Sequence, residues 1–300
     1  MKKTLLFAVS ILLSTGVAFS QEEEANDTIP NGWRTEGNVQ LLFNQSAFND
    51  EWTGGGVSSV AGNLSINYKF NYKKDKFTWN NMIFADYGLT KLKDDEFTRK
   101  TSDRLELTSI AGKQIQETNF YWSWFLNFRT QFDKGYNFSE DPDTGETIRT
   151  EISDFMSPAY LQTGPGLMYK KSENFVLNFA PATARFIFVS KDFTTRPGYV
   201  DGDYFGVDEG KSMRFELGAS LSGYLQYEIL KNVMMEHTLN LYSNYLDKPG
   251  NIDIDYLLNL DMGINDYLSA NLVFQAIYDD NAVGAFQIRE VFGLGINFGF

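Results

Sequence analysis

The chain has 300 residues, with 26 basic and 39 acidic side chains, 16% aromatic residues and no cysteine. The absence of cysteine excludes disulfide bonds and thiolate metal sites. The acidic balance argues against nucleic acid, which needs a basic surface, and against a strongly acidic partner. High aromatic content without a long apolar helix is typical of strands whose apolar and polar faces alternate, although a soluble β-sandwich could share this composition.

The first twenty residues have the pattern of a secretory signal peptide. Lys2 and Lys3 form a short positive region, residues 5–13 are apolar, and small residues precede a cleavage point after Ser20. The apolar run is shorter than the roughly 20 residues that a transmembrane helix needs. We therefore expect residues 1–20 to be removed on export, which leaves 24 basic residues against the 39 acidic ones, a net charge of −15.

The next segment, residues 21–32, is acidic, contains Pro30 and has little to bury. This composition predicts a flexible acidic tail in the periplasm. From residue 33 to residue 300 the chain alternates between strand-like segments and turns, so we predict a single domain over this range.

Three segments of this domain show strict alternation of apolar side chains. In residues 63–72 they alternate with Asn, Ser and Lys, and in residues 252–264 they alternate with acidic and amide side chains. Residues 120–128 place large apolar groups at every even position. A period of two predicts β-strands with one apolar face.

The final strand, residues 286–300, has the clearest pattern. Large apolar residues occupy every second position from Phe292 to Phe300, with Gly or Asn between them. Water would meet a row of large apolar groups on such a strand, whereas a bilayer would cover them. The strand resembles the terminal signal of Gram-negative outer-membrane barrels, which end in Phe. This resemblance implies recognition by the barrel-assembly machinery through the strand that ends at Phe300.

Connection lengths predict how the strands are arranged. Short linkers at 73–76, 117–118, 172–174, 230–232 and 265–266 alternate with longer ones at 46–57, 91–102, 133–157, 191–211, 247–251 and 279–284. The pattern predicts a closed antiparallel transmembrane β-barrel of about 12 strands, with 10 or 14 as alternatives. Short periplasmic turns would lie on one rim and long extracellular loops on the other. Pro181 interrupts the segment 175–190, where the apolar face changes parity, and predicts a β-bulge.

Several motifs carry a resemblance to a known family. These are Trp33, residues 38–43, Asn44–Phe48, Glu51–Trp52, Gly54–Gly56, Asn63 and Tyr68, followed by Trp79–Asn81 and Asp86–Gly88. They resemble the opening hairpins of a domain-of-unknown-function family of outer-membrane barrels from Bacteroidota. The resemblance extends over nearly the whole mature chain. It implies the barrel fold and the outer-membrane location, and it brings no catalytic residues.

Parity assigns ten polar side chains to the barrel interior. They are Lys69, Asp86, Glu106, Asn127, Arg129, Arg214, Glu216, Glu236, Asp255 and Asp261. A barrel of eight strands has an interior filled by side chains and one of sixteen strands has an open channel, so a barrel of twelve strands should have an interior of intermediate width. These lumen-lining charges would either pair across a nearly closed interior or line a narrow pore.

Catalytic and metal sites are weaker predictions. A barrel lipase needs a histidine beside a serine at the outer rim, and the same-face neighbours of the single histidine, His237, are Met235 and Leu239. The acidic loops 141–146 and 201–209 lack the full spacing of a calcium loop. We therefore predict no enzyme, no metal site and no cofactor, while a cross-strand serine and weak divalent binding by the loops stay open.

The sequence thus predicts an exported protein of a Gram-negative outer membrane, in contact with lipid and lipopolysaccharide. The function we predict is a narrow channel or passive transporter for a small polar solute. The alternatives are a plugged barrel with a structural or loop-mediated binding role and an outer-membrane lipid-modifying enzyme. The solute, the opening of the lumen and the oligomeric state are not specified by the sequence.

Overall fold

The computed structural model describes residues 31–49, 51–54, 56–93, 95–265 and 267–300. The predicted signal peptide, residues 1–20, and the predicted tail up to residue 30 lie outside the described residues. The first strand begins at Gly32. Within the described ranges, no helix is long and apolar enough to cross a membrane.

The described part of the chain consists of strands and one helical turn. The strands are β1 (Gly32–Ser46), β2 (Ser59–Lys74), β3 (Phe77–Leu92), β4 (Arg99–Gln114), β5 (Phe120–Thr130), β6 (Gly135–Glu140), β7 (Thr147–Ser153), β8 (Ala159–Ser172), β9 (Phe175–Phe188), β10 (Met213–Leu230), β11 (Val233–Asn244), β12 (Asp253–Gly263), β13 (Leu268–Tyr278) and β14 (Gln287–Gly299). The helical turn, α1 (Lys191–Thr194), follows β9.

Twelve of these strands form one closed antiparallel barrel. Their order is β1-β2-β3-β4-β5-β8-β9-β10-β11-β12-β13-β14, and β14 pairs back onto β1. The strands β6 and β7 form a separate hairpin within the connection between β5 and β8. The prediction of a closed antiparallel barrel of about twelve strands is confirmed. The hairpin is additional, because the sequence predicts only a loop there.

The connections alternate in length around the barrel and define two rims. The loop rim carries the connections 47–58, 93–98, 131–158, 189–212, 245–252 and 279–286. The turn rim carries 75–76, 115–119, 173–174, 231–232 and 264–267. Because each strand runs between the rims, β1 starts and β14 ends at the turn rim.

The exterior of the barrel is apolar, as the alternation in sequence indicates. On β5, the side chains of Trp122 and Trp124 are 68% and 58% exposed. On β14, Phe292, Leu294 and Phe298 are all more than half exposed. The intervening residues of both strands point into the lumen, since successive side chains of a strand alternate between its faces.

A β-bulge at Pro181 reverses the two faces of β9. The register between β9 and β10 shifts between Gly218 and Ser220, opposite the stretch from Ala180 to Thr183. Before the shift Phe179 is exposed on the exterior, and after it Arg185 is only 3% exposed, within the lumen. The predicted bulge is confirmed, and it is the reason that an arginine enters the barrel interior here.

Part of the lumen is filled by apolar side chains. Ile110, Phe125, Met168 and Ala180 form a buried cluster on the inner faces of β4, β5, β8 and β9. Ile110, Met168 and Ala180 lie in the halves of their strands near the turn rim, and Phe125 lies at the middle of β5. The barrel is therefore not an empty tube, and polar residues dominate only the remaining interior volume.

Candidate functional site: the barrel lumen

The ten side chains that parity assigns to the interior lie on the inner face of the barrel. Eight of them line at least one of three internal cavities. The other two, Arg214 and Glu216, line none of these three and pair with each other near the loop rim, with Nε and Oε1 2.8 Å apart. The candidate functional site is thus the lumen itself.

A first ion bridge, centred on Asp255, joins opposite walls of the barrel. Arg104 on β4 lies with Nη2 3.0 Å from Oδ2 of Asp255 on β12, and Arg129 on β5 pairs with the same carboxylate. The strands β4 and β12 are six positions apart in the ring of twelve, so the contact spans the lumen. Gln275 donates to Asp255 over 3.1 Å, and Arg104 also donates to Glu106 over 2.8 Å. Each charge is therefore compensated despite its burial.

A second bridge, centred on Tyr224, also joins opposite walls. Lys69 Nζ on β2 donates to the Tyr224 hydroxyl on β10 over 2.9 Å. That hydroxyl donates to Glu236 over 2.8 Å, and the Lys69 and Glu236 charges are 3.8 Å apart. The strands β2 and β10 are again six positions apart. The second bridge thus crosses the lumen as the first one does.

A third contact joins β14 to β3 through Asp86. Arg289 Nη1 lies 3.0 Å from Asp86 Oδ2, and the Ser65 hydroxyl donates to the other carboxylate oxygen over 2.6 Å. Ser102 also donates to Asp86. Asp86 lines the cavity on one side of this contact and Arg289 the cavity on the other.

The bridges divide the lumen into cavities rather than sealing it with backbone. The outer cavity, toward the loop rim, has a volume of about 590 Å³ and includes Arg104, Asp255 and Tyr160 in its lining. The inner cavity, of about 450 Å³, is lined by Glu236 and Asp261 among others. A third cavity, of about 120 Å³, shares Lys69 with the inner one, and Glu106 and Asn240 with the outer one. The residues that these cavities share, Lys69, Glu106 and Asn240, all lie on wall strands.

The connection 189–212, which we name the cover loop, folds over the loop rim. Its Phe193 and Val207 are buried, and the Tyr204 ring stacks on Phe193 at 4.7 Å. The Tyr204 hydroxyl lies 3.0 Å from the carbonyl of Ile152 and 3.1 Å from that of Ser157. Burial raises the pKa of Tyr204 to about 12. Tyr204 thus stays neutral and keeps the cover loop bound to the neighbouring connection 131–158.

The turn rim is bridged by Glu173 in the turn between β8 and β9. Arg34 on β1 lies with Nη2 3.1 Å from Glu173 Oε1, and Lys170 Nζ is 2.8 Å from the same oxygen. Asn71 on β2 donates to the other oxygen over 3.4 Å. Since β1 and β2 lie far around the ring from this turn, these contacts cross the inner mouth.

Three arginines in the lumen were not among the sequence candidates. Arg104 shares the parity of Glu106, so the parity signal that found its neighbour could have found it. Arg185 lies beyond the predicted bulge, so only the parity of the residues after Pro181 places it in the lumen; it pairs with Asp253 and, at 3.3 Å, with Asp279. Arg289 lies in a segment whose inner and outer faces were ambiguous in the sequence, because the neighbouring Glu290 shares the parity of Phe292.

The weaker candidates for chemistry lie elsewhere. His237 is on the exterior face, with Nδ1 2.8 Å from the Tyr256 hydroxyl and its ring stacked on Tyr227. The Asp141 carboxylate in the predicted acidic loop 141–146 accepts the backbone N–H of Asp143 over 2.8 Å. In loop 201–209, the backbone N–H of Glu209 donates to Asp201 over 2.6 Å.

One group of carboxylates has spacing suited to a metal ion. Oxygens of Asp253, Asp279 and Asp280 lie within 4.8 Å of one another. Arg185 already pairs with the first two, and Asn251 donates to Asp280 over 2.8 Å. The charge of Arg185 therefore already compensates two of the three carboxylates.

Comparison with solved structures finds barrels of low similarity. The COG4313 outer membrane channel from Pseudomonas putida F1 is 12% identical, with a TM-score of 0.38 and coverage of 93% of this chain and 99% of that one. The translocator domain of autotransporter NalP from Neisseria meningitidis is 9% identical, with a TM-score of 0.39 and coverage of 100% and 96%. Outer membrane phospholipase A from Escherichia coli is 11% identical, with a TM-score of 0.35 and coverage of 92% and 94%. At these values, no property of the three proteins transfers to this chain.

Sequence comparison matches only part of the chain. No curated protein matches the chain. A family model described as a protein of unknown function (DUF3078) matches residues 43–136, a range that contains β2 to β5.

Proposed function

We propose that the protein is an outer-membrane β-barrel whose lumen is a narrow passage for small polar solutes. The membrane location is supported by the exterior, where the apolar side chains of strands such as β5 and β14 are exposed around a closed sheet. Large contiguous apolar surfaces are rare on soluble monomers, and a bilayer would cover this one.

The observation that carries the passage is how the cavities are separated. The outer and inner cavities lie within one ring of strands, and their shared boundaries are side chains such as Asp86, Arg289, Lys69 and Glu106. Individual side chains can change rotamer without movement of the backbone, whereas a folded plug needs a larger rearrangement. Paired charges across the lumen favour polar solutes and exclude apolar ones, because an apolar solute cannot replace the hydrogen bonds it displaces.

Conductance of the refolded protein in planar bilayers tests this function. We expect small unitary currents from the native protein and larger or more frequent ones from the Asp86→Asn/Arg289→Gln double variant. The double variant removes both charges of the contact between the two larger cavities and leaves no buried charge unpaired.

A matched control removes an ion pair outside the lumen. Lys134 and Glu151, 2.7 Å apart in the exposed connection 131–158, can be changed to glutamine together. This variant is expected to conduct as the native protein does. Absence of current from both the native protein and the Asp86→Asn/Arg289→Gln variant would rule out the passage.

A second function is favoured by the outer surface of the loop rim. Phe132, Ile148, Ile152 and Phe155 in and around the β6–β7 hairpin are all exposed apolar side chains. If the barrel does not conduct, this surface supports a plugged barrel whose loops bind a partner. In that case, replacement of these residues by serine is expected to abolish partner binding without change in barrel assembly.

We further propose that the protein is not an enzyme. Tyr256, not a serine, is the hydrogen-bond partner of His237 among the described residues. Lipid hydrolysis by the purified protein, measured with and without His237→Ala, tests this proposal. Hydrolysis that depends on His237 would contradict it.

A further inference from the structure

The seam between β1 and β14 closes the barrel over only part of its height. Paired residues run from Asn38 opposite Gly299 to Phe43 opposite Leu294. Beyond that point each strand is still paired on its other side, because β1 pairs with β2 up to Ser46 and β14 pairs with β13 as far as Gln287. In the described residues, the stretch 287–293 of β14 has no strand partner on the β1 side.

This interruption leaves backbone groups without a ladder. In an antiparallel pair, the N–H and C=O of alternate residues point to the same neighbour. Phe300 exchanges both bonds with Gly37, so the even-numbered residues of β14 point toward β1. Of the open stretch, the carbonyl of Phe292 is satisfied by the Asn44 side chain at 3.3 Å. Ile288 and Glu290 have no strand partner on that side.

Unpaired backbone constrains what can surround this edge. A backbone polar group in hydrocarbon without a hydrogen bond costs several kcal/mol. Residues 288–292 form the loop-rim end of β14, so water or the polar part of a ligand can satisfy these groups, while the side chains of Phe292 and Ile288 are exposed on the apolar exterior. The open stretch is a place where the polar lumen and the apolar surface meet.

The two sides of the opening differ in chemistry. Outside, Phe43, Phe292 and Ile288 are exposed apolar side chains, and Glu290 lies between Ile288 and Phe292 on the same face, where it adds a negative charge. Inside, Gln287 and Arg289 line the outer cavity. The Arg289 Nε is buried and has no hydrogen-bond partner among the described residues. An apolar chain fits the outer border and an oxygen-bearing head group fits the inner one. Asp86 already balances the charge of Arg289, and Glu290 repels an anion at the entrance, so the head that fits is uncharged.

We propose that the outer half of the β1–β14 seam is a lateral opening through which a single-chain amphiphile with an uncharged polar head enters the outer cavity from the bilayer. The head would accept a hydrogen bond from Arg289, while the chain lies between Phe43 and Phe292. The proposal rests on the membrane location proposed above, but not on conduction of polar solutes.

Cross-linking tests whether the seam is open. The chain has no cysteine, so pairs can be introduced cleanly. Leu41 and Ile296 are directly paired and serve as the control, because paired strands bring Cα atoms to a separation that a disulfide accepts. Gln45 and Phe292 would be the next opposed exterior pair if the ladder continued.

We expect Leu41→Cys/Ile296→Cys to oxidise readily in liposomes. Gln45→Cys/Phe292→Cys should resist oxidation but be joined by a longer bismaleimide. Oxidation of the second pair as complete as that of the first would overturn the proposal, as would linkage by neither reagent. If the second variant does not assemble, Ala47→Cys/Glu290→Cys replaces it. This pair lies two residues further along each strand, nearer the loop rim, and the same results are expected from it.

Ligand entry is tested with monolauroylglycerol that carries a photoreactive group on its head. In liposomes, it is expected to label the lumen-facing positions 287 and 289, and the label should be lost after the Gln45→Cys/Phe292→Cys pair is bridged. The photoreactive analogue of laurate should label them less. Labelling without bilayer current would support the lateral opening and contradict the passage for polar solutes. Current without labelling at positions 287 and 289 would support the passage and contradict the lateral opening.

Discussion

Single charged residues in this barrel act across the lumen rather than along a strand. Asp255 illustrates this, because its one carboxylate compensates Arg104 and Arg129 from the opposite side of the ring. Loss of one partner from a buried ion pair leaves the other charge uncompensated in a poorly solvated space. The wall strands are therefore held to each other through the interior as well as by their ladders.

We predict that Asp255→Asn lowers the free energy of unfolding by about 3–5 kcal/mol, the usual cost of stranding a buried charge. Urea titration of the protein folded in detergent micelles measures the change. Glu151→Gln breaks the exposed Lys134 pair and is expected to cost less than about 1 kcal/mol. Equal effects of the two substitutions would mean that the lumen is as well solvated as the surface.

The limits of sequence reasoning at this scale are physical. Parity places Glu106, Asp255 and Lys69 on the inner face because the alternation of a strand is local. It does not give their partners, since Arg104 meets Asp255 only through the stagger accumulated around the whole ring. Arg185 could have been placed from the change of parity that predicts the bulge at Pro181, because Phe186 faces outward beyond the bulge and its neighbour Arg185 therefore faces inward.

At the scale of elements, the cover loop depends on a close approach between backbone and side chain. Gly206 has a φ of +70° and its carbonyl accepts a hydrogen bond from Arg214 over 3.0 Å. A Cβ at Gly206 would overlap the Arg214 guanidinium, which Glu216 and Asp247 also hold in place. Any larger residue at position 206 would therefore have to displace the Arg214 side chain from these contacts.

Gly206→Ala is predicted to loosen the cover loop and raise its sensitivity to protease. Gly210→Ala is the control, because Gly210 also has a positive φ, of +65°, but a Cβ there would meet no atom within 4 Å. Both substitutions should cost about 1–2 kcal/mol for the left-handed backbone, and only Gly206→Ala should also displace Arg214. Similar cleavage rates in the two variants would show that the contact with Arg214 is unimportant.

Alkaline pH should release the same loop through Tyr204. The pKa of this tyrosine is raised by burial to about 12, so the folded loop retains its proton where a free tyrosine, with a pKa of about 10, loses it. Stability of the docked loop is complete below about pH 10 and falls as the pH rises toward 12. Protease cleavage within residues 189–212 should increase over that range, and Tyr204→Phe should abolish this pH dependence. A pH dependence that survives Tyr204→Phe would assign it to another group.

The whole molecule combines a fold that the sequence predicts well with an interior that it predicts poorly. Period-two alternation and the alternation of connection lengths predicted the closed antiparallel ring of about twelve strands, with 10 and 14 as alternatives, and the structure has twelve. The β6–β7 hairpin was missed because residues 133–157 carry no long apolar repeat. The cover loop, the bridge at Glu173 and the partial seam depend on which strands face each other across the ring, and local patterns do not encode that relation.

Closure of the ring depends on the seam between β1 and β14, and a single substitution in that seam can test how much it contributes to the stability of the barrel. The seam holds the pairs from Asn38 to Phe43, together with the two backbone bonds between Gly37 and Phe300. The Phe300 ring lies over Gly37 and stacks on Tyr68, with centroids 6.0 Å apart. A Cβ at position 37 would overlap that ring.

Gly37→Ala is therefore predicted to displace Phe300 and lower the temperature at which the barrel loses its compact mobility in a detergent gel. The expected loss is about 0.5–1.5 kcal/mol for the ring contact, concentrated at the ladder that has the fewest paired residues. Gly62→Ala is the matched control: it lies on the exterior of the β1–β2 ladder, opposite Phe43, where a Cβ would meet only the Leu42 carbonyl at 4.0 Å. Equal melting of the two variants would mean that the ring opens first at a ladder other than β1–β14.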